Sequence, residues 1–238
     1  MTCRDDWLGP MLPRIFRRMS RTCNHTSFAN TSILDRVGLS AHILATAVQY
    51  LYTTLDKIDE TLVTMREERL ARLVELANFS SMVGNLLRSG VSKASGGLFQ
   101  NNGPHKFPDL LSTVGVERNV EIKVALEDNN PKGHLAKEGW HLTAHYVLCG
   151  ADGCFSVGKE NRGVQLWIWQ LRFGYLRLEH FNISNTAGDS GKTAVVNAAG
   201  MRELAPVFCD FDRCPFPAKG PRFKELCRIF QRDVTTKK

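Results

Sequence analysis

The chain changes its hydrophobic period once, and that change limits what it can fold into. From residue 32 to about 95 apolar residues recur three and four apart: Leu39, Ile43, Leu44, Val48, Leu51 and Leu55, then Leu62, Met65, Leu70, Leu73, Val74 and Leu76. Arg66, Glu67, Glu68, Arg69 and Arg72 alternate in sign beside the second series and mark a solvent-facing side. A third apolar run, 82–87, continues toward Val91, with Ser80 or Ser81 suited to cap it and Gly96 and Gly97 to close it. The stretch GGLFQNNGPHKFP that follows is a turn-rich loop. Beyond it the period falls to two. Val120, Ile122 and Val124 alternate with Glu121, Lys123 and Ala125, which predicts a half-buried strand. Residues 142–149, 164–173 and 175–183 are further expected strands, and 201–207 and 222–232 expected helices. Helices first and strands afterwards point to α+β or α/β, with helices packed on one sheet. The expected division is a basic N-terminal arm over 1–31, a helical region over 32–95 and a core over 96–238.

With 43% hydrophobic residues the chain is not a disordered one, and 238 residues suffice for one large domain or two small ones. Seven cysteines, an odd number in a chain too long to need staples, favour a reducing compartment. No window approaches eighteen apolar residues, and the start lacks the apolar core of a secretory signal, so a cytoplasmic protein without membrane contact is expected. The net charge of +7 is concentrated early: Arg4, Arg14, Arg17, Arg18, Arg21 and Arg36 face only Asp5, Asp6 and Asp35. Such a surface points to a polyanionic partner, of which nucleic acid is the commonest.

Pro108-Asp109 lies just past the loop, and Glu121-Ile122-Lys123 lies inside the strand. Side chains at i and i+2 of a strand share a face, so Glu121 and Lys123 project together while Val120, Ile122 and Val124 pack beneath. A turn over 115–119 would fold the strand back on 110–114 and bring Asp109 beside Glu121. Two carboxylates and an ammonium at one spot suit phosphodiester hydrolysis. Hard carboxylate oxygens hold Mg²⁺, the ion polarises the phosphate, and the lysine orients or deprotonates the attacking water.

On Pro108, Asp109, Glu121, Ile122 and Lys123 the chain resembles the PD-(D/E)xK nuclease superfamily and, within it, type II restriction endonucleases. The resemblance implies a restriction-endonuclease-like core, a central mixed β-sheet flanked by helices, here preceded by a helical N-terminal region. It implies Mg²⁺ held by Asp109, Glu121 and the backbone carbonyl of Ile122, with Lys123 assisting the water. It also implies a glutamate from a preceding helix, for which Glu75 is the candidate and Glu68 the second. The implied activity is cleavage of double-stranded DNA at a specific, palindromic sequence by a homodimer; the charged helical segment 39–76 is a candidate dimer element or else packs on the chain's own core. The same fold would also serve a repair or junction nuclease that cuts by structure.

Two polar stretches are candidate DNA readers. The first, 127–145, offers Asn129, Asn130, Lys132, His134 and Lys137, with Gly133 allowing close backbone approach. The second, 182–202, offers Asn185, Ser190, Lys192 and Arg202, on a hairpin or loop. From another class comes a non-catalytic DNA-binding protein, zinc-stabilised through Cys149 with Cys154 and Cys209 with Cys214. Their spacing exceeds the usual knuckle, and buried thiols rather than zinc are expected. Gly188 to Thr193 reads GDSGKT, but position 186 is threonine where a phosphate loop needs glycine. His105, His134, His141 and His145 read as polar loop or strand histidines, and Trp167 and Trp169 as one face covering a hydrophobic layer.

Overall fold

The Ser40 side chain accepts a hydrogen bond from the Ile43 N–H and starts helix α1, Ala41–Thr64. It belongs to a computed structural model, which describes residues 21–103, 106–156, 163–184 and 193–233. α1 ends where Arg66 takes a φ of 65°. The short α2, Leu70–Leu73, follows, its first N–H received by Asp59 Oδ1 at 2.9 Å, and then α3, Leu76–Ala94. The continuous helical pattern over 39–76 is thus broken twice, at Arg66 and at the extended Val74 and Glu75. Ile43, Leu44, Val48, Leu51, Tyr52 and Leu55 of α1 are buried within the chain's own core, so this stripe is not free to form a dimer seam.

The strands are β1 (Phe99–Asn101), β2 (Leu110–Ser112), β3 (Val120–Leu126), β4 (Lys132–Gly133), β5 (Gly139–Cys149), β6 (Gln165–Leu176), β7 (Phe181–Ser184), β8 (Thr193–Val196) and β9 (Ala205–Cys209). Two further α-helices are α4 (Ala198–Glu203) and α5 (Pro221–Ile229). Six strands form one sheet in the order β1-β2-β3-β5-β6-β9, antiparallel throughout except for the parallel pair β3 and β5. A smaller sheet has the order β4-β8-β7. The fold is α+β, with a mixed six-stranded sheet flanked by helices.

The alternation of β3 is as read, but the strand is not half-buried: Glu121 and Ala125 of the second face are buried as well, and Val124 is only partly buried. Val120 and Ile122 join Leu142, Ala144 and Tyr146 of β5 in a core that also takes Val83, Leu87 and Val91 of α3. Glu121 and Lys123 therefore face the other way, beside His141 and Thr143 of β5. The small sheet is fixed on that side by Leu176, Phe181, Ala194, Val196 and Leu204.

Several expectations are corrected. Residues of 32–95 and of 96–238 share one core cluster. Residues 21–31 are no free basic arm. Arg21 is buried, donates to the carbonyls of Leu166 and Tyr52 and pairs with Asp56 at 2.6 Å, while the Ala29 N–H donates to the Val207 carbonyl at 3.0 Å. The helix expected over 201–207 stops at Glu203, and Ala205–Cys209 is instead an edge strand paired with β6. Its Pro206 lies on the last strand of the sheet, where proline is tolerated. Trp167 and Trp169 are both buried but do not form one layer. A register shift between β5 and β6 lies beside them, and Trp167 meets Tyr52 while Trp169 meets His145 and Phe216.

Candidate active site

Asp109 is placed by its own turn. The Asn102 N–H donates to the Asp109 carbonyl at 3.0 Å and Asn102 Nδ2 to the Pro108 carbonyl at 2.8 Å, closing the connection between β1 and β2. The peptide bond between Phe107 and Pro108 is cis. Leu110 then lies opposite Val120, which brings Asp109 alongside β3. Asp109 Oδ2 accepts the Ile122 N–H at 2.8 Å. The N–H and C=O of one residue leave an extended strand by the same edge, so the Ile122 carbonyl emerges on the side of Asp109.

Glu121 is 3% exposed. Its Oε1 pairs with Lys123 and also with Lys137 at 3.4 Å, whereas its Oε2 is buried and has no hydrogen-bond partner. Lys137 arrives on the crossover 127–138 that makes β3 and β5 parallel, and its ammonium stands 4.7 Å from the Phe107 ring centroid. From α3, Arg88 Nη1 reaches to 3.7 Å from Asp109 Oδ1. Two carboxylates thus meet three cations.

The acid pair is electrostatically split. Burial, then the Glu121 charge, raises the Asp109 carboxyl above its ordinary value, against the Ile122 N–H, Lys123 and Arg88. Burial pushes Glu121 upward as well, but Lys123, with Lys137 and His141 behind it, holds it below the usual carboxylate range. His141 is the register partner of Glu121 on β5. Its Nδ1 lies 2.9 Å from the Gly139 carbonyl, which assigns the ring proton to Nδ1, and the buried Nε2 has no partner. Burial pushes this imidazole down to about 4, so it is neutral at pH 7.

Asp109, Glu121, Ile122 and Lys123 therefore come together as expected. Glu75 does not join them. It is exposed just before α3, and the thirteen residues from there to Arg88 span about 20 Å of helix. Phe79 and Ser80, in the first turns of α3, meet Tyr146, which is level with the far end of β3. Glu68 is exposed in the break before α2. α3 carries no acid at all, and its residue at the site is Arg88, a lone helix arginine with no distinguishing spacing.

Of the expected DNA readers, Lys137 belongs to the acid pair. Asn130 Nδ2 is engaged by the Val196 carbonyl at 3.0 Å. Asn129, Lys132 and His134 are exposed along the crossover, and Arg202 is exposed on α4. Gly133 does allow a close approach, but to Lys123: a Cβ there would lie 3.2 Å from Lys123 Cε and Nζ. Asn185, Ser190 and Lys192 lie outside the described residues, as does most of the GDSGKT stretch; the flanking β7 and β8 pair antiparallel. Among the described residues no three of His, Cys, Asp and Glu gather as a metal-holding group. The acid pair with one carbonyl nevertheless fits Mg²⁺, because its donors are hard oxygens and Glu121 Oε2 is a buried acceptor left without a donor.

No protein-family model matches this chain, and no curated protein is significantly similar to it in sequence. Among the described residues no helix is long and apolar enough to cross a membrane.

Proposed function

We propose that this protein is a Mg²⁺-dependent type II restriction endonuclease with a PD-(D/E)xK, restriction-endonuclease-like core. It would cut both strands of DNA at a specific palindromic sequence, as a cytoplasmic homodimer. The observation that carries the reading is the Ile122 N–H to Asp109 Oδ2 hydrogen bond, which ties the aspartate to the strand bearing Glu121 and Lys123. Asp109, Glu121 Oε2 and the Ile122 carbonyl are the groups to hold Mg²⁺, which when bound supplies Lewis-acid polarisation of the phosphate and acidifies water.

The chain's own residues do the rest. Lys123, ion-paired with Glu121, donates hydrogen bonds and aligns the attacking water. The water oxygen forms a bond to phosphorus and the bond to the leaving sugar oxygen breaks. The water gives its proton to solvent, and solvent protonates the leaving oxygen. Lys132 on β4 and the paired strands β7 and β8 belong to one small sheet, which supports a single DNA-reading surface above Lys123. A two-fold dimer would read a palindrome symmetrically.

Digestion of phage DNA with and without Mg²⁺ tests the reading. Discrete bands that vanish in Lys123→Ala support it. A smear points to cutting without sequence preference, and intact DNA with retained binding points to a non-catalytic binding module.

A further inference from the structure

Glu121 Oε1 receives two ammonium groups while Oε2 receives none. The two lysines are held differently. Lys123 extends from β3 itself, is 12% exposed and has its end packed beneath Gly133. Lys137 comes from the crossover, is 28% exposed, makes the longer contact of 3.4 Å and rests over the Phe107 ring. Phe107 directly precedes Pro108-Asp109, so the Lys137 ammonium stands at the rim shared by both acids.

We propose that Lys137 is a second catalytic cation: it neutralises Glu121 while the acid pair holds no metal, gives way when a divalent ion takes up Glu121, and then binds a non-bridging oxygen of the phosphate being cut. The inference rests on the nuclease reading. Its physical basis is competition. A divalent ion at Glu121 repels both ammoniums, and the one free to move is on the loop, not the one fixed in the sheet. With Asp109 and Glu121 against Arg88, Lys123 and Lys137, the described site carries a net charge of +1 (three cations minus two anions). Lys137 is thus surplus to the needs of the acids and available to a phosphate whose negative charge grows in the transition state. No proton or bond changes hands at Lys137; it supplies charge and hydrogen bonds.

The signature is a pair of effects of opposite sign, which a merely structural lysine would not give. In DNA-free protein, titration calorimetry with Mn²⁺ as the probe should show Lys137→Gln binding about tenfold tighter than wild type, the size of effect a neighbouring charge has on a proton equilibrium. With saturating Mg²⁺ the same variant should cut DNA about 100-fold more slowly in a single turnover. Lys137→Arg, which keeps the charge, should return Mn²⁺ affinity to the wild-type value and restore part of the cutting rate. This second variant also answers any loss of folding in the first. Unchanged or weaker Mn²⁺ binding in Lys137→Gln, with wild type still cutting, overturns the Lys137 role alone. Wild-type protein that binds Mn²⁺ but cuts no DNA overturns the nuclease reading and the phosphate role with it.

Discussion

Arg88 Nη1 lies 3.7 Å from Asp109 Oδ1, so α3 offers the site a cation where a helix glutamate was expected. Asp109 is already raised by burial and by Glu121, and Arg88 pulls the other way. Arg88→Met removes that pull, so the carboxyl rises further and is ionised only at higher pH. The acid limb of the pH–rate profile for DNA cleavage should move up by as much as about one unit. The neutral plateau should keep its height. A profile that does not move would show that Arg88 has no electrostatic hold on the site.

Asp109→Asn keeps an oxygen for the Ile122 N–H but removes the charge. Cleavage should fall by at least about 1,000-fold, because a ligand charge and the alignment it gives are lost together. The thermal midpoint should stay the same or rise, since Glu121 loses a like-charged neighbour. A large fall in the midpoint would mean that the aspartate is structural.

His145 sets an acid limit on stability. It is 2% exposed, and burial, then Arg172, pushes its imidazole down to about 3. The unfolded chain has the ordinary value of about 6.5 and therefore takes up the proton first as pH falls. Stability at this residue is intact above that value and drains away between it and the folded value. At about pH 5 the loss is about 2 kcal/mol. Urea unfolding near neutrality and in mild acid should show it, and His145→Leu should remove its share of the dependence while that of the buried His141 remains.

α1 and α3 touch at Gly90, where an added Cβ would lie 2.8 Å from the Ala47 carbonyl oxygen and 2.9 Å from its Cα. Both neighbours are backbone, so the helices must part. Gly90→Ala should cost about 2 kcal/mol. Gly84→Ala on the same helix meets only Val124 Cγ2 at 3.5 Å and should be neutral or stabilising by up to about 1 kcal/mol. Denaturant midpoints of the two variants give the comparison.

Local alternation was enough to read β3: Val120 and Ile122 inward, Glu121 and Lys123 together, Asp109 returned by the turn at 115–119. What escaped the sequence depends on contacts between distant segments. Glu75 was chosen by its place in a helical pattern, but Arg66 and Val74 break that pattern, and the break sets which turn of α3 reaches the site. Lys137 reads as a DNA contact, and its ion pair with Glu121 escapes notice because nothing near it in sequence shows that the crossover is tied down by β4 pairing with β8. Residues 201–207 read as one short helix, but the helix ends at Glu203 and 205–209 pair with β6 as a strand. Tertiary pairing outweighs propensity in such cases.

The alternation of β3 also constrains how the gene can vary. One strand writes the core on its even residues and the chemistry on its odd ones, with neighbours on both sides. Deleting a single codon between Val120 and Lys123 would exchange the two, sending a carboxylate into the oily side and a valine into the site. Substitutions along this strand can be graded in effect, whereas a shift of frame by one residue is lethal to fold and function at once. Length changes should therefore accumulate elsewhere, in the crossover before Lys137 or beyond β5, and be absent from these seven positions.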